Sequence, residues 1–330
     1  MSTWSLLERA FGWGGIVAYH GIGDAPHAAV MHVSPPRLRA QLTYLHERYT
    51  VVPLRELVSR WHARLSTRGC VAITFDDAYA GVSVYALPIM RDLEIPATVF
   101  VTSRHAAQGG SYWWDDIERE RAALRAEWTD EHVALGMPRY DPMDAKGVDR
   151  IRRRVICSFA GRWPGPIVQR DDTVWRSMNW DELAALAAEP LVDFGVHTLS
   201  HPALPLLSYA EQLAEMRDNL SQLRERLPRV LPIVAYPYGL YDSTTVRAAQ
   251  EAGMVAGLTM EGRATADHPS PMTVPRVGAG EIHSPPSLGR RLNRALRPFL
   301  VIRNRGSHPR VPSDPLARRF DGISAELQTT

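Results

Sequence analysis

Short β-branched runs alternate with helical patterns along most of this 330-residue chain, which leaves it few folds to choose from. Residues 15–19 read as a strand. Residues 35–49 carry Leu38, Leu42 and Leu45 at helical spacing behind Ser34-Pro35, an N-cap and first-turn pair. The pattern then predicts a short strand at 51–54, a helix over 55–63, a buried strand at 71–75, a helix over 79–93 kinked by Pro88, and a strand at 97–101. After an interruption it resumes with a helix over 181–188 behind Asn179, a strand at 192–196 and a helix over 209–227. A strand at 232–236, a helix over 243–252 and strands at 254–259 and 273–277 complete it.

Strand–helix units repeated in this way imply a parallel sheet, open or closed into a barrel, with ligands gathered where strands end and loops begin. The interruption, residues 103–178, is rich in Arg, Glu, Asp and Trp. It is too long for a structureless loop and reads as a helical insertion. The expected organisation is therefore a body over 1–285 containing that insertion, followed over 286–330 by a basic helix and a flexible tail. Residues 287–300 carry Leu288, Leu292, Leu296 and Leu300 every fourth position among arginines. Such a helix either docks on the body or touches a membrane surface transiently.

Composition narrows the function. Lys and Arg total 38 against 36 Asp and Glu, so nothing marks a nucleic-acid binder. The two cysteines, Cys70 and Cys157, lack metal-type spacing and make no disulfide framework. Residues 1–15 show no basic segment leading into an apolar run, and no stretch of 18 apolar residues occurs, so the expected location is the cytoplasm.

Three segments at strand ends carry chemistry. Thr74-Phe75-Asp76-Asp77 places two adjacent carboxylates after an apolar strand. Such a pair is costly if both are ionised and unpaired, and a cation would relieve it, although Asp also serves turns and helix N-caps. His197 and His201, four residues apart after the strand at 192–196, can meet one ion in a turn or tight loop. One Asp with two His suits a divalent transition metal that keeps positions open for water and substrate. Tyr236-Pro237-Tyr238-Gly239 ends another strand, where the Tyr238 backbone N–H is a candidate donor to a developing oxyanion.

Together these segments resemble the NodB-homology polysaccharide deacetylases, carbohydrate esterase family four, whose members carry T-F-D-D, H-[ST]-x-x-H and P-Y blocks in that order. The resemblance runs from about Ile16 to Val277. It implies a distorted (β/α) barrel and a metal-dependent hydrolase that removes an N-acetyl group from an amino sugar in a glycan, glycolipid or nucleotide-linked precursor. Asp77, His197 and His201 would bind a divalent metal, Zn2+ in most of the family, and Asp76 would be the general base. The family's late L-x-H block is missing. Ala18-Tyr19-His20 resembles instead the rearranged branch, including biofilm poly-N-acetylglucosamine deacetylases, and makes His20 the expected general acid, with His283 competing. Ala78 replaces the usual Gly after the two aspartates, and Ala235-Tyr236 replace the usual Arg of the third block. Arg276 is a candidate substitute for that Arg, or a substrate contact. Within the insertion, Trp114 and Asp115 are the expected sugar contacts, while Trp128, Trp163 and Trp175 suit a small core. The other readings are a deformylase or cyclic-amide hydrolase of the same fold, and a sugar-binding module without activity.

Overall fold

In the computed structural model, which describes residues 15–24, 31–115, 160, 172–262 and 270–292, nine strands form one parallel sheet whose two ends meet, and two more pair separately. The strands are β1 (Gly15–Tyr19), β2 (Gly21–Ile22), β3 (His32–Val33), β4 (Thr50–Val51), β5 (Cys70–Phe75), β6 (Ala97–Val101), β7 (Val192–Val196), β8 (Val230–Ala235), β9 (Ala256–Thr259), β10 (Val274–Pro275) and β11 (Val277–Gly278). They pair in the order β10-β9-β8-β7-β6-β5-β1-β11, with β4 beside β5 and β2 paired only with β3. Because β10 and β11 are consecutive and flank Arg276, the path returns to itself: a nearly closed (β/α) barrel.

The pleat sorts the side chains. Every second residue of a strand faces one side. Ile16, Ala72, Phe100, Ile233, Ala235, Leu258 and Val274 cluster together as the barrel lining, and Leu54, Leu57, Val58 and Trp61 of the helix Leu54–His62 join them. Their strand neighbours Val17, Ile73, Val99, Phe194 and Val234 belong to a second cluster under the outer helices. The interior is tight: a Cβ on Gly195 would lie 2.4 Å from the Phe100 ring. Some helices start at side-chain caps, although the expected cap Ser34 makes no such bond. Asn179 with Glu182, and Ser208 with Glu211, make capping boxes for Trp180–Leu186 and Tyr209–Arg226.

Several expectations shift. At 51–54 only Val51 is in a strand, because Pro53 caps the following helix. The helix expected over 79–93 begins late. Tyr79 bridges Ser177, and the Ala80 N–H, free as a first-turn donor, donates to the Arg176 carbonyl (2.9 Å), so helical backbone starts at Ala80. A π-turn over Val82–Ala86 leads into the α-helix Leu87–Asp92, and Pro88 sits in its first turn, where a missing N–H costs nothing. The last strand is split at Arg276, where the chain leaves β9 for β1. The small β2–β3 sheet was not expected at all.

Of the interval 103–178, the described parts are its two ends and residue 160; Trp128 and Trp163 lie outside the described residues, as does the tail beyond 292. The C-terminal helix is described over Pro285–Leu292, and its Leu288 and Leu292 are fully buried, which removes those two from any lipid contact; Leu296 and Leu300 lie outside. Among the described residues no helix is long and apolar enough to cross a membrane.

Candidate active site

Strand ends converge on one cleft of about 270 Å³, lined among others by His20 after β1, Asp76 and Asp77 after β5, His197 and His201 after β7, Tyr238 after β8 and Met260 after β9. His20, Asp76 and His197 continue the inward-facing alternation of Ile16 and Ala18, Ala72 and Thr74, and Asp193 and Gly195. Their direction therefore follows from the pleat.

Asp77 Oδ1 lies 3.3 Å from His197 Nε2 and 3.5 Å from His201 Nε2, and all three side chains are buried. His197 Nδ1 is 2.7 Å from the Ala235 carbonyl. A carbonyl only accepts, so Nδ1 carries the proton and Nε2 is the nitrogen left to face the carboxylate. A bare lone pair there would repel Asp77, so a proton, which the raised pKa of His197 favours, or a metal cation must lie between them. Asp77 Oδ1 is moreover buried without a partner in hydrogen-bond geometry, as is His201 Nδ1. Tetrahedral ligands about 2.0–2.1 Å from an ion stand about 3.3–3.4 Å apart, close to both observed separations. The residues present fit a divalent metal.

The backbone here is unusual. Asp77 (φ 66°), Ala78 (50°), Thr198 (70°), His201 (55°) and Tyr238 (58°) are all left-handed without being glycine, five of the nine such residues described. Strain of this kind persists only where the surroundings impose it. The helix Tyr209–Arg226 supplies part of the support. Glu215 accepts from the Ser200 N–H (2.9 Å) and hydroxyl (2.6 Å), and Asn219 accepts from the His197 N–H (3.3 Å) while donating to Ser103 Oγ (2.5 Å). Neither residue was singled out in sequence. The available signal was a pair of polar residues four apart on the buried side of an amphipathic helix.

Asp76 is gripped by Arg276, whose two terminal nitrogens each donate to one carboxylate oxygen at 2.7 Å. The same guanidinium donates to Thr74 Oγ1 (3.2 Å) and the Thr259 carbonyl (3.3 Å). Arg276 is 0% exposed, so the expectation that it contacts substrate is corrected: its donors are spent inside the barrel. Burial pushes Asp76 up, but the charge and hydrogen bonds of Arg276, with His197 and His20, outweigh it and hold the carboxyl far below the usual range. His20 Nε2 stands 3.8 Å from Asp76 Oδ2. Burial lowers its pKa against the pull of both aspartates. Burial also pulls His197 down, yet Asp77 and Asp76 together hold it above its ordinary value, while burial and the neighbouring imidazoles drive His201 well below. His283 does not line the cleft; its Nε2 is 2.8 Å from Arg291.

The aromatic wall divides differently from expectation. Trp114 lines the cleft, its ring 4.8 Å from that of His201 and its N–H donating to the Tyr79 hydroxyl (3.0 Å). Asp115 does not: it is 1% exposed and accepts the hydroxyl of Tyr79 in turn, which corrects its assignment to substrate. Trp113, passed over in sequence in favour of its neighbour Trp114, takes a place in the wall and donates to the Tyr238 hydroxyl at 3.3 Å. Trp175 is buried and packs on His32.

A nearly closed (β/α) barrel with a metal-competent Asp-His-His cluster beside an Arg-held carboxylate defines the class of the molecule. The chain belongs to the polysaccharide deacetylase family, whose sequence profile matches residues 64–133 and 162–257. That match begins after His20 and ends before Arg276. An uncharacterized protein of Streptomyces coelicolor is 38% identical over 80 residues, which cover 24% of this chain and only 31% of that relative. Among solved structures, the deacetylase PplD of Streptococcus pyogenes in complex with acetate is similar with a TM-score of 0.59 at 18% identity, covering 85% of this chain and 98% of that one. IcaB of Ammonifex degensii gives 0.58 at 20% identity, covering 86% and 97%. At such identities the likeness is one of fold.

Proposed function

We propose that this protein is a metal-dependent carbohydrate deacetylase that hydrolyses the N-acetyl amide of an amino sugar in a glycan or glycan precursor. The observation that carries the reading is the joining of three parts in one cleft: the Asp77-His197-His201 cluster, the ionised Asp76 and His20. Asp77, His197 and His201 hold the cation, for which zinc suits the donor set. When bound, it supplies Lewis acidity toward the amide carbonyl and the attacking water.

The chain's own groups do the proton work. Asp76, kept ionised by Arg276, accepts a proton from the attacking water as the new C–O bond forms. His20, whose Nε2 lies 3.8 Å from Asp76 Oδ2, delivers a proton to the nitrogen as the C–N bond breaks, which releases acetate and a free amine. This assigns the acid to the first strand, as in the rearranged branch of the family. The Tyr238 backbone N–H donates to the oxyanion. Trp113 and Trp114 offer the sugar what ring surface they present to the cleft, their N–H groups being already committed. The test is acetate release from N-acetylated oligosaccharides by zinc-loaded enzyme, with the matching free amine seen by mass spectrometry. No release by wild type, or equal release by an Asp76→Asn variant, would overturn the assignment.

A further inference from the structure

The turn that carries Asp77 is left-handed at two successive residues, Asp77 and Ala78, and contains no glycine. Something outside it must hold it. Two bonds reach its carbonyls: the Tyr112 hydroxyl donates to the Asp77 carbonyl (3.0 Å), and the Met178 N–H donates to the Ala78 carbonyl (2.8 Å). These donors stand at opposite ends of the interval that interrupts the barrel pattern.

The two ends are themselves joined. Ser111 bridges Arg176 in antiparallel fashion, the Ser177 N–H and hydroxyl both donate to the Gly110 carbonyl (3.0 and 3.1 Å), and Tyr79 bridges Ser177. Residues 176–178 thus lie between 110–111 and 78–80. Tyr112 is 1% exposed, and its ring lies in a column with His105 (centroids 3.8 Å apart) and Trp114 (4.6 Å) that ends against His201. The Thr102 hydroxyl, a neighbour of the Tyr112 hydroxyl, donates to the His197 carbonyl at 3.2 Å.

We infer that Tyr112 is a positioning residue for the metal centre: its hydroxyl fixes the strained turn that presents Asp77, and so ties the root of the interrupting segment to metal affinity. The inference rests on the metal reading above. Neither carbonyl belongs to the ligand atoms themselves, so the Tyr112 hydroxyl acts through the backbone of Asp77, while its ring, which Phe retains, meets that of His201 edge-on (centroids 5.8 Å). Supporting contacts to metal ligands set affinity over about 10–100-fold, and a single neutral bond belongs at the lower end of that range. Linkage runs both ways: whatever the segment's root does for zinc, zinc does for the root.

The experiment is a zinc competition titration against a chromogenic chelator on wild type, Tyr112→Phe and Tyr79→Phe. Tyr79→Phe removes an equally buried hydroxyl from the same neighbourhood but leaves the carbonyl bonds of the Asp77 turn in place. Both variants should lose some metal-free stability, but Tyr112→Phe should also bind zinc about tenfold more weakly, whereas Tyr79→Phe should keep its affinity within about threefold. Equal affinity of Tyr112→Phe and wild type overturns the inference, as does equal weakening by both variants. No zinc binding by wild type would overturn the metal reading instead, so the two failures are distinct. Should Tyr112→Phe not fold, hydrogen exchange on wild type decides: zinc should slow exchange at 110–112 and 176–178, and slowing confined to 197–201 refutes the role.

Discussion

Arg276→Met tests the inner workings of the barrel most sharply. The guanidinium is fully buried and makes two 2.7 Å charge-assisted bonds to a carboxylate that is 2% exposed. Methionine keeps much of the volume and removes the charge, leaving Asp76 buried and ionised. Breaking a buried pair in this way costs about 3–5 kcal/mol. His20 at 3.8 Å and His197 nearby offset part of it, so about 3 kcal/mol at pH 7 is expected. The sign with pH follows from the carboxyl. In wild type its pKa is depressed, so its contribution is present above the unfolded value of about 3.9 and fades only as pH falls through the lower folded value. In the variant burial dominates and the folded pKa lies above the unfolded one, so the deficit is largest at high pH and shrinks on acidification. Urea unfolding of chelator-treated wild type and variant at pH 5 and 8 measures both. Adding Asp76→Asn should recover most of the loss, since no charge is then left stranded. A deficit under about 1 kcal/mol at pH 8, or one that does not shrink at pH 5, would refute the argument that Arg276 holds an ionised Asp76.

Other expectations are more local. Asp76→Asn should retain zinc by elemental analysis and lose about 10²–10⁴-fold in turnover, whereas Asp77→Ala should lose the metal itself. His20→Ala should cost activity on a similar scale, while His283→Ala, outside the cleft, should stay within a few fold under the same assay. Ser208→Ala removes the capping box of Tyr209–Arg226, a loss of about 1 kcal/mol readable by urea unfolding. His32, which burial lowers to about 4, stays neutral in the fold but takes a proton when unfolded below about 6.5. Stability should therefore fall on acidification through that window, by at most about 1.4 kcal/mol per pH unit from this residue, and His32→Gln should flatten the slope.

The legible part of the sequence was the part written locally. β-branched runs gave the strands, and motifs at their ends gave Asp76, Asp77, His197, His201 and His20, because a parallel barrel gathers strand ends and alternation aims every second residue inward. What stayed hidden depends on closure. Val274-Pro275-Arg276-Val277 looks like an edge strand, since Pro cannot donate to a ladder. Only when β10 and β11 bridge β9 to β1 does Arg276 turn out to lie inside, opposite Asp76. Glu215 and Asn219 are ordinary polar residues on a helix until the loop at 198–201 is laid across them. Asp115 next to two tryptophans reads as a sugar contact, and only its tertiary partner, the Tyr79 hydroxyl, withdraws it from the cleft.

The strained turn at Asp77 follows from the same geometry. On an extended backbone, neighbours point to opposite faces, so a strand that aims Asp76 into the barrel sends Asp77 away from it. Both nevertheless line one cleft. The left-handed φ of 66° at Asp77 is what swings the second carboxylate back toward His197 and His201. Two adjacent, like-charged groups can then serve different partners, one a guanidinium and the other the imidazole pair, without facing each other across low-dielectric space. Glycine at position 78 would ease the second left-handed residue, but Ala78 is itself buried and the turn is held from outside by Tyr112 and Met178. The departure from the family's Asp-Asp-Gly is tolerable because the support here is tertiary.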